Sequence, residues 1–292
     1  TVMGDSLADV GTFGLKFTVQ KAGDAAGYPI WTQLVANAFG LNGSAQCNYY
    51  MATSAITFIA NPVKAGCTNF AIGGGRIVSA SLSNEQLITK QLADRKALGT
   101  YASDEILLID GGGNDAADLV GAYLAAATDG GLTLQGALAQ LLSAEEMTAA
   151  FTQDPTGAVA VGAYMQKLAI TFYNSIKTNA LDNGAKRVLV LNMADITLTP
   201  RFKAVLVGVA MQTSQAQADA LQAGIRQWIG AFNTTLAASF ASDSRVAITD
   251  FYADLNDQAA NFADYSLDNV TMPACPVVGL DSSGLPAYDF PT

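Results

Sequence analysis

The sequence of 292 residues contains no histidine at all. It therefore lacks the side chain that proteins most often use as a general base near neutral pH. Only 14% of the residues are charged, with 15 basic against 25 acidic side chains. No lysine or arginine cluster stands out, which argues against a nucleic acid partner. No apolar run approaches the roughly 18 residues of a membrane-spanning helix, so we expect no transmembrane segment.

Cysteine is also scarce, with Cys47, Cys67 and Cys275 as its three occurrences. Their spacing fits no common metal site, and no cofactor is expected. Cys47 and Cys67 bracket a turn-rich stretch and could form a disulfide that contributes roughly 3 kcal/mol. The alternative is three buried free thiols. In an exported protein with that disulfide, Cys275 would be left over, which predicts a partner outside these residues.

What the sequence does have is strand and helix patterns in alternation. Half of the residues are hydrophobic, and one domain over residues 1–292 is the simplest organisation, with two small domains as the alternative. Continuous apolar runs predict strands that are buried on both faces, at residues 2–3, 69–72, 105–110, 187–191 and 245–248. Apolar residues at helical spacing predict helices between them, over residues 84–98, 132–152, 165–176 and 221–240.

This alternation predicts an α/β fold, a three-layer α/β/α sandwich around a central, mostly parallel sheet of the flavodoxin-like type. Residues 252–292 are rich in Asp, Asn, Pro, Gly and Ser and predict a long surface excursion. In an open parallel sheet, functional sites form beyond the carboxyl ends of the strands.

The first polar loop at such an end is Gly4-Asp5-Ser6-Leu7. A serine between a strand and a helix would place its hydroxyl at the sheet edge and its N–H at the helix N-terminus. That N–H could stabilise a developing oxyanion. The alternative is an ordinary helix cap formed by Asp5 and Ser6.

Two further loops follow apolar runs. Gly73-Gly74-Gly75 could expose backbone N–H groups to a ligand, or be only a tight turn. Gly112-Gly113-Asn114-Asp115 offers the Asn114 amide as an oxyanion donor, the alternative being a helix N-cap. Three such loops in chain order supply different parts that acyl transfer requires.

On these residues the chain resembles the SGNH or GDSL-type serine hydrolases. The resemblance rests on residues 2–11, 69–74 and 112–115, with weaker similarity at 191–195, 199–200, 232–233 and 269–275. It implies an SGNH hydrolase-like fold and a carboxylic-ester hydrolase with small-molecule or lipid ester substrates. The last stretch is most similar to the secreted bacterial branch, which implies a secreted, periplasmic or cell-surface protein.

Carried over by position, the resemblance implies Ser6 as the nucleophile. The Ser6 N–H, the Gly74 N–H and the Asn114 side chain would form the oxyanion hole, with Gly73 as the fallback for Gly74. Asp5 would be structural and hold the loop of the nucleophile.

The family's final Asp-x-x-His block is missing. Asp289 and Thr292 have its spacing, but threonine cannot accept a proton near neutral pH. We therefore expect the catalytic Asp and His on a C-terminal segment of the same precursor, proteolytically separated or otherwise outside these residues. A phospholipase or lipid acyltransferase of the same family is the first alternative. A non-catalytic ester- or glycan-binding relative is the second.

Overall fold

A computed structural model describes residues 1–18, 27–41, 47–63, 66–82, 84–273, 277–280 and 286–288. The chain groups into two compact units. The first comprises Thr1–Asp115, Leu168–Asn192 and Leu236–Thr249, and the second comprises Ala116–Lys167, Met193–Thr235 and Asp250–Thr292. The expectation of one domain over residues 1–292 stays a prediction.

The first unit contains the parallel sheet, in the order β1, β4, β5, β6. Its strands are β1 (Val2–Met3), β4 (Ile106–Ile109), β5 (Arg187–Leu191) and β6 (Val246–Thr249). Val2 pairs with Leu108, and Leu108 pairs with Leu189, so the three strands run in register. All three pairings are parallel, as the continuous Val, Ile and Leu runs predict.

Helices cover both faces of this sheet within the first unit. On one face, Val2 and Leu108 belong to a buried cluster against which Trp31 and Val35 of α1 (Trp31–Ala38) pack. Met3, Leu107 and Ile109 alternate to the other face and are fully buried. There, Ile88 of α2 (Ile88–Ala97) and Phe172 lie against Gly111, at the end of β4. The three-layer α/β/α fold class is thus confirmed.

The remaining helices are α3 (Gly113–Asp129), α4 (Leu132–Leu138), α5 (Ala144–Gln153), α6 (Ala158–Ile176), α7 (Pro200–Gln212), α8 (Gln215–Phe240) and α9 (Phe251–Ala260). Two of the expected helices are interrupted: residues 132–152 form α4 and α5, and a 3-10 turn at Asn84–Gln86 precedes α2. Within the second unit, Trp228 of α8 donates from Nε1 to the Ala158 carbonyl at 3.0 Å and packs on Tyr123. No helix among the described residues is long and apolar enough to cross a membrane.

The expected strand at residues 69–72 is wrong. Asn69 forms isolated bridges to Val2 and Asn48, and the N–H groups of Phe70 and Ile72 donate to the carbonyls of Val2 and Gly4 at 2.8 Å and 3.2 Å, but the segment forms no regular strand. The stretch predicted as a surface excursion has no buried residue between 251 and 273, and it contains α9, which begins at Phe251 with Asp250 as its N-cap, accepting from the Ala253 N–H at 3.1 Å. A local N-cap stabilises the start of this helix in a stretch otherwise rich in turn residues.

A small antiparallel hairpin lies outside the main sheet, made of β2 (Tyr50–Ser54) and β3 (Thr57–Ala60). A disulfide joins Cys47 to Cys67, with Cα atoms 5.2 Å apart, and so closes the base of the hairpin. Of the two alternatives for these cysteines, the bridge is confirmed. Cys275 lies outside the described residues. A second short pair, β7 (Val277–Leu280) and β8 (Pro286–Tyr288), is antiparallel.

Candidate active site

The loop after β1 forms a single turn around Ser6 instead of the expected helix. The Asp5 carbonyl accepts hydrogen bonds from the N–H groups of Ala8 at 3.1 Å and Asp9 at 3.0 Å, and the turn ends there. The Asp5 carboxylate accepts from the Leu7 N–H at 2.9 Å. Asp5 therefore caps the turn that presents Ser6, which agrees with its expected structural role.

Buried side chains hold Gly4, the residue that begins this loop. Gln91 of α2 accepts from the Gly4 N–H at 2.9 Å and donates to its carbonyl at 3.0 Å. A Cβ at position 4 would lie 1.7 Å from Asp110 Oδ1, so the carboxylate occupies the space of a side chain. The same Asp110 oxygen accepts the Asp5 N–H at 3.0 Å. Only glycine fits this close approach.

The second loop is a tight turn in which Gly75 N–H donates to the Ile72 carbonyl at 2.9 Å and Gly74 has φ +78°. The Gly73 N–H donates to Asp9 Oδ2 at 2.8 Å. The Gly74 N–H has no acceptor among the residues that the structure describes. Among the described residues, the Gly73 N–H is therefore engaged and the Gly74 N–H is not.

The third loop leads directly into α3, and Asn114 lies in its first turn, one residue after the helix begins. Asn114 is therefore not an N-cap. Its Nδ2 donates to the Gly75 carbonyl at 3.0 Å and to Asp5 Oδ2 at 3.3 Å. The neighbouring Asp115 carboxylate accepts the Ile77 N–H at 3.0 Å, which fastens the second loop to α3.

The three loops thus meet in one place within the first unit. Gly75 packs on the first loop, because a Cβ there would lie 2.8 Å from the Gly4 carbonyl oxygen and 3.2 Å from Asp5 Cα. Asn114 joins both loops through its amide. Ser6 is half-buried, and no described residue forms a hydrogen bond with its hydroxyl.

Three buried carboxyl groups lie beneath the turn, and burial raises the pKa of each. Burial raises the pKa of Asp5 to about 6, although the Leu7 N–H and the Arg76 guanidinium oppose the shift. Burial and the adjacent Asp5 charge hold the pKa of Asp110 well above its ordinary value, while Trp31 Nε1 donates to it at 3.3 Å. Burial also raises the pKa of Asp9, although the N–H groups that donate to its carboxylate oppose the shift. The part of the site beneath Ser6 therefore consists of carboxyl groups that are shielded from water.

Sequence reasoning missed Asp9, Gln91 and Asp110. Asp110 ends an otherwise apolar strand, and Gln91 lies on the buried side of α2, so each is a polar residue at a core position. That signal, a polar residue where the pattern calls for an apolar one, could have found both. Among the described residues, no three His, Cys, Asp or Glu side chains cluster in a way that could hold a metal ion.

The fold and these loops define a parallel α/β protein whose polar loops converge at the carboxyl edge of its sheet. The chain belongs to the GDSL-like lipase/acylhydrolase family, whose model matches residues 1–277. Family membership supports a hydrolase that acts on esters. No curated protein matches the chain.

Proposed function

We propose that the protein is a serine ester hydrolase in which the Ser6 hydroxyl attacks the carbonyl carbon of a carboxylic ester. The C–O bond to the alcohol breaks, the acyl group stays on Ser6, and water then releases it as the carboxylic acid. The observation that carries this proposal is the meeting of three loops around Ser6. Each loop offers a group with a defined part in acyl transfer.

Gly74 and Asn114 are the proposed donors to the oxyanion, together with the Ser6 N–H. In support, the Gly74 N–H has no acceptor among the described residues, whereas the Gly73 N–H is held by Asp9. Asn114 has to exchange one of its present bonds, and the 3.3 Å bond to Asp5 Oδ2 is the longer of the two. A donor aimed at a developing negative charge stabilises the transition state more than the ground state.

The general base is the part that these residues do not supply. A serine hydroxyl needs a neighbouring base near neutral pH, and the chain contains no histidine. We place the base and its orienting carboxylate on a C-terminal segment of the same precursor, as a His–Asp pair that follows triad logic. Proteolytic separation of that segment would make it a partner of this chain.

Turnover of a p-nitrophenyl ester by the full-length protein tests the role of Ser6. Ser6→Ala should reduce turnover to the background rate, because the acyl-enzyme can no longer form. The matched control is Ser242→Ala, an exposed serine outside the three loops, which should keep wild-type turnover. Turnover retained in Ser6→Ala would exclude the proposed nucleophile.

Added imidazole tests whether the base is all that the 292 residues lack. Imidazole should raise ester turnover by this chain and leave Ser6→Ala at the rate of free imidazole. An equal rise in both proteins would favour the non-catalytic ester- or glycan-binding alternative. Intact mass of the purified protein distinguishes the two further, since a histidine-containing fragment bound to this chain would support the separated segment.

The acceptor of the acyl group separates a hydrolase from a lipid acyltransferase. The same oxyanion groups serve both, so product analysis with a phospholipid and an added alcohol is the deciding measurement. Free fatty acid as the main product supports the hydrolase, and a new ester supports the acyltransferase.

The disulfide between Cys47 and Cys67 supports a secreted, periplasmic or cell-surface location, since such bonds persist in oxidising compartments.

A further inference from the structure

Asp110 lies directly beneath the loop of Ser6, at the point where β4 ends. Its backbone N–H donates to the Met3 carbonyl at 3.2 Å, which continues the pairing of β1 with β4 by one residue. Its carboxyl group is buried, and Trp31 Nε1 of α1 donates to Oδ2 at 3.3 Å. The backbone of Asp110 is therefore fixed by the sheet, and its side chain by a helix that covers the sheet.

The group that Asp110 holds is the peptide unit between Gly4 and Asp5. Asp110 Oδ1 accepts the N–H of this unit, which belongs to Asp5, at 3.0 Å. The carbonyl of the same unit, which belongs to Gly4, accepts from Gln91 Nε2 at 3.0 Å and from the Ile72 N–H at 3.2 Å. The plane of this peptide is thus held at both edges by groups from three other parts of the chain.

The next peptide unit carries the Ser6 N–H, one of the three proposed oxyanion donors. Because consecutive peptide planes share a Cα atom, the orientation of the first limits the orientation of the second. The carbonyl of this second unit, which belongs to Asp5, accepts from the N–H groups of Ala8 at 3.1 Å and Asp9 at 3.0 Å. The Ser6 N–H at its other edge has no acceptor among the described residues.

We propose that Asp110 is a positioning residue for ester hydrolysis, because it fixes, through the Asp5 peptide, the direction in which the Ser6 N–H meets the developing oxyanion. This inference deepens the proposed function and rests on it for the chemistry at Ser6. Asp110 contacts the loop and not the Ser6 hydroxyl, so it acts through the backbone. A displaced donor stabilises the transition state less, and a shift of about 1 Å can cost roughly a hundredfold in rate.

The charges around Asp110 decide the form in which it acts. Burial and the adjacent Asp5 charge hold the pKa of Asp110 well above its ordinary value, whereas the pKa of Asp5 is about 6. Arg76 and Asp9 face Asp5 and shift its pKa in opposite directions. Asp5 therefore ionises first, and Asp110 stays a neutral acid beside it. Ionisation of Asp110 at higher pH adds a second negative charge beneath the donors, which weakens their stabilisation of an oxyanion.

Steady-state kinetics of the full-length protein with a p-nitrophenyl ester, measured across pH, test this role. Asp110→Ala leaves the Asp5 N–H without its acceptor and opens space beside Gly4, so kcat should fall by about 10–100-fold with KM little changed. Asp110→Asn keeps an oxygen for the Asp5 N–H and resembles the neutral acid, so it should restore most of kcat. As the pH rises, wild-type kcat/KM should decline where Asp110 ionises, and the Asn variant should not decline there.

Asp195→Ala is the matched control for the loss of a buried carboxyl group. Asp195 is fully buried outside the three loops, and its carboxylate accepts the Thr197 N–H at 3.0 Å. This variant should lose stability but keep the wild-type kcat, KM and pH profile. Equal losses of kcat in the two Ala variants, or a decline at high pH that Asp110→Asn retains, would overturn the positioning role.

Amide NMR of the 292-residue chain separates this inference from the proposed function, because it requires no turnover. The chemical shift of the Asp5 N–H should change in two pH steps in the wild type, one from each carboxyl group. Asp110→Asn should retain only the step of Asp5. An unchanged titration in Asp110→Asn would overturn the inference even in an active enzyme. The expected loss of one step in a protein that turns over no ester would reject the Ser6 chemistry and support the contact of Asp110 with this loop.

Discussion

The triplets Gly73-Gly74-Gly75 and Gly111-Gly112-Gly113 look alike in the sequence, since each follows a short apolar run. In the first triplet, crowding surrounds the two outer glycines, with Phe17 at Gly73 and the Gly4 carbonyl at Gly75. In the second, Gly111 is crowded by Ile88, whereas Gly113 faces open space at the start of α3. The same Gly-Gly-Gly sequence therefore serves a different structural purpose in each place.

The first triplet shapes a turn, whereas the second precedes and starts a helix. The first triplet brings its backbone against the loop of Ser6 and leaves the Gly74 N–H without an acceptor among the described residues. The second delivers a side chain, because α3 begins at Gly113 and carries Asn114 in its first turn. We thus propose that the first turn contributes a backbone donor to the site and the second a side-chain donor.

The largest expected effect is at Asn114, where the two turns meet. Asn114→Ala removes the proposed oxyanion donor and the amide that joins Gly75 to Asp5, so kcat/KM should fall by about 10²–10³. Asn183→Ala is the matched control, because the Asn183 amide also donates to a glycine carbonyl, at 3.0 Å, outside the three loops. Ester turnover measures both, and similar losses in the two variants would contradict the assignment of Asn114.

The next effect is on stability and contrasts the triplets directly. Gly75→Ala forces a Cβ to within 2.8 Å of the Gly4 carbonyl oxygen, and such overpacking should lower the free energy of unfolding by about 1–3 kcal/mol. Gly113→Ala adds a methyl group to open space and should raise it by about 0.5 kcal/mol through the unfolded state. Urea unfolding gives both values, and a loss of the same size in both would mean that the triplets do not differ as described.

The smallest expected effect concerns Asp110, the carboxyl group that precedes the second triplet. Because its pKa is raised in the folded protein, the folded state binds the proton more tightly than the unfolded chain does. Stability from this group is therefore present below the unfolded pKa and is lost as the pH rises above it. Asp110→Asn should flatten the fall in the free energy of unfolding as the pH rises above about 4, the ordinary pKa of an aspartate.

The control for this slope is Asp264→Asn, at an exposed position in a 3-10 turn. It should keep the wild-type dependence of stability on pH. An Asp110→Asn slope equal to the wild-type slope would show that the pKa of this buried carboxyl does not drive the dependence. Asp5, whose pKa is raised to about 6, contributes with the same sign and should leave part of the slope in the variant.

Much of the fold could be predicted from the sequence because buried parallel strands are recognisable as continuous apolar runs. The strands predicted at residues 105–110 and 187–191 are observed at 106–109 and 187–191 and pair in register. Residues 69–72 look the same but form no regular strand, and the Asn69 side chain donates to the Ala8 carbonyl at 2.8 Å. A tertiary hydrogen bond of this kind leaves no trace in local periodicity.

The site shows the same limit. The Gly74 position follows from the motif, but its distinction from Gly73 depends on Asp9, which accepts the Gly73 N–H. Likewise, a single turn at Ser6 replaces the expected helix, and directly after it the Asp9 carboxylate accepts the N–H groups of Gly11 and Thr12. These outcomes depend on which polar groups meet in space, which the spacing of residues along the chain does not encode.

The central claim is that Ser6 carries the acyl group, and mass spectrometry of the acylated protein tests it most directly. The full-length protein is mixed with a p-nitrophenyl ester, quenched in acid and digested. We predict an added acyl mass on the peptide that contains Ser6, and none in Ser6→Ala. Turnover accompanied by an acyl group on any other residue, or by the same labelling in Ser6→Ala, would contradict the account.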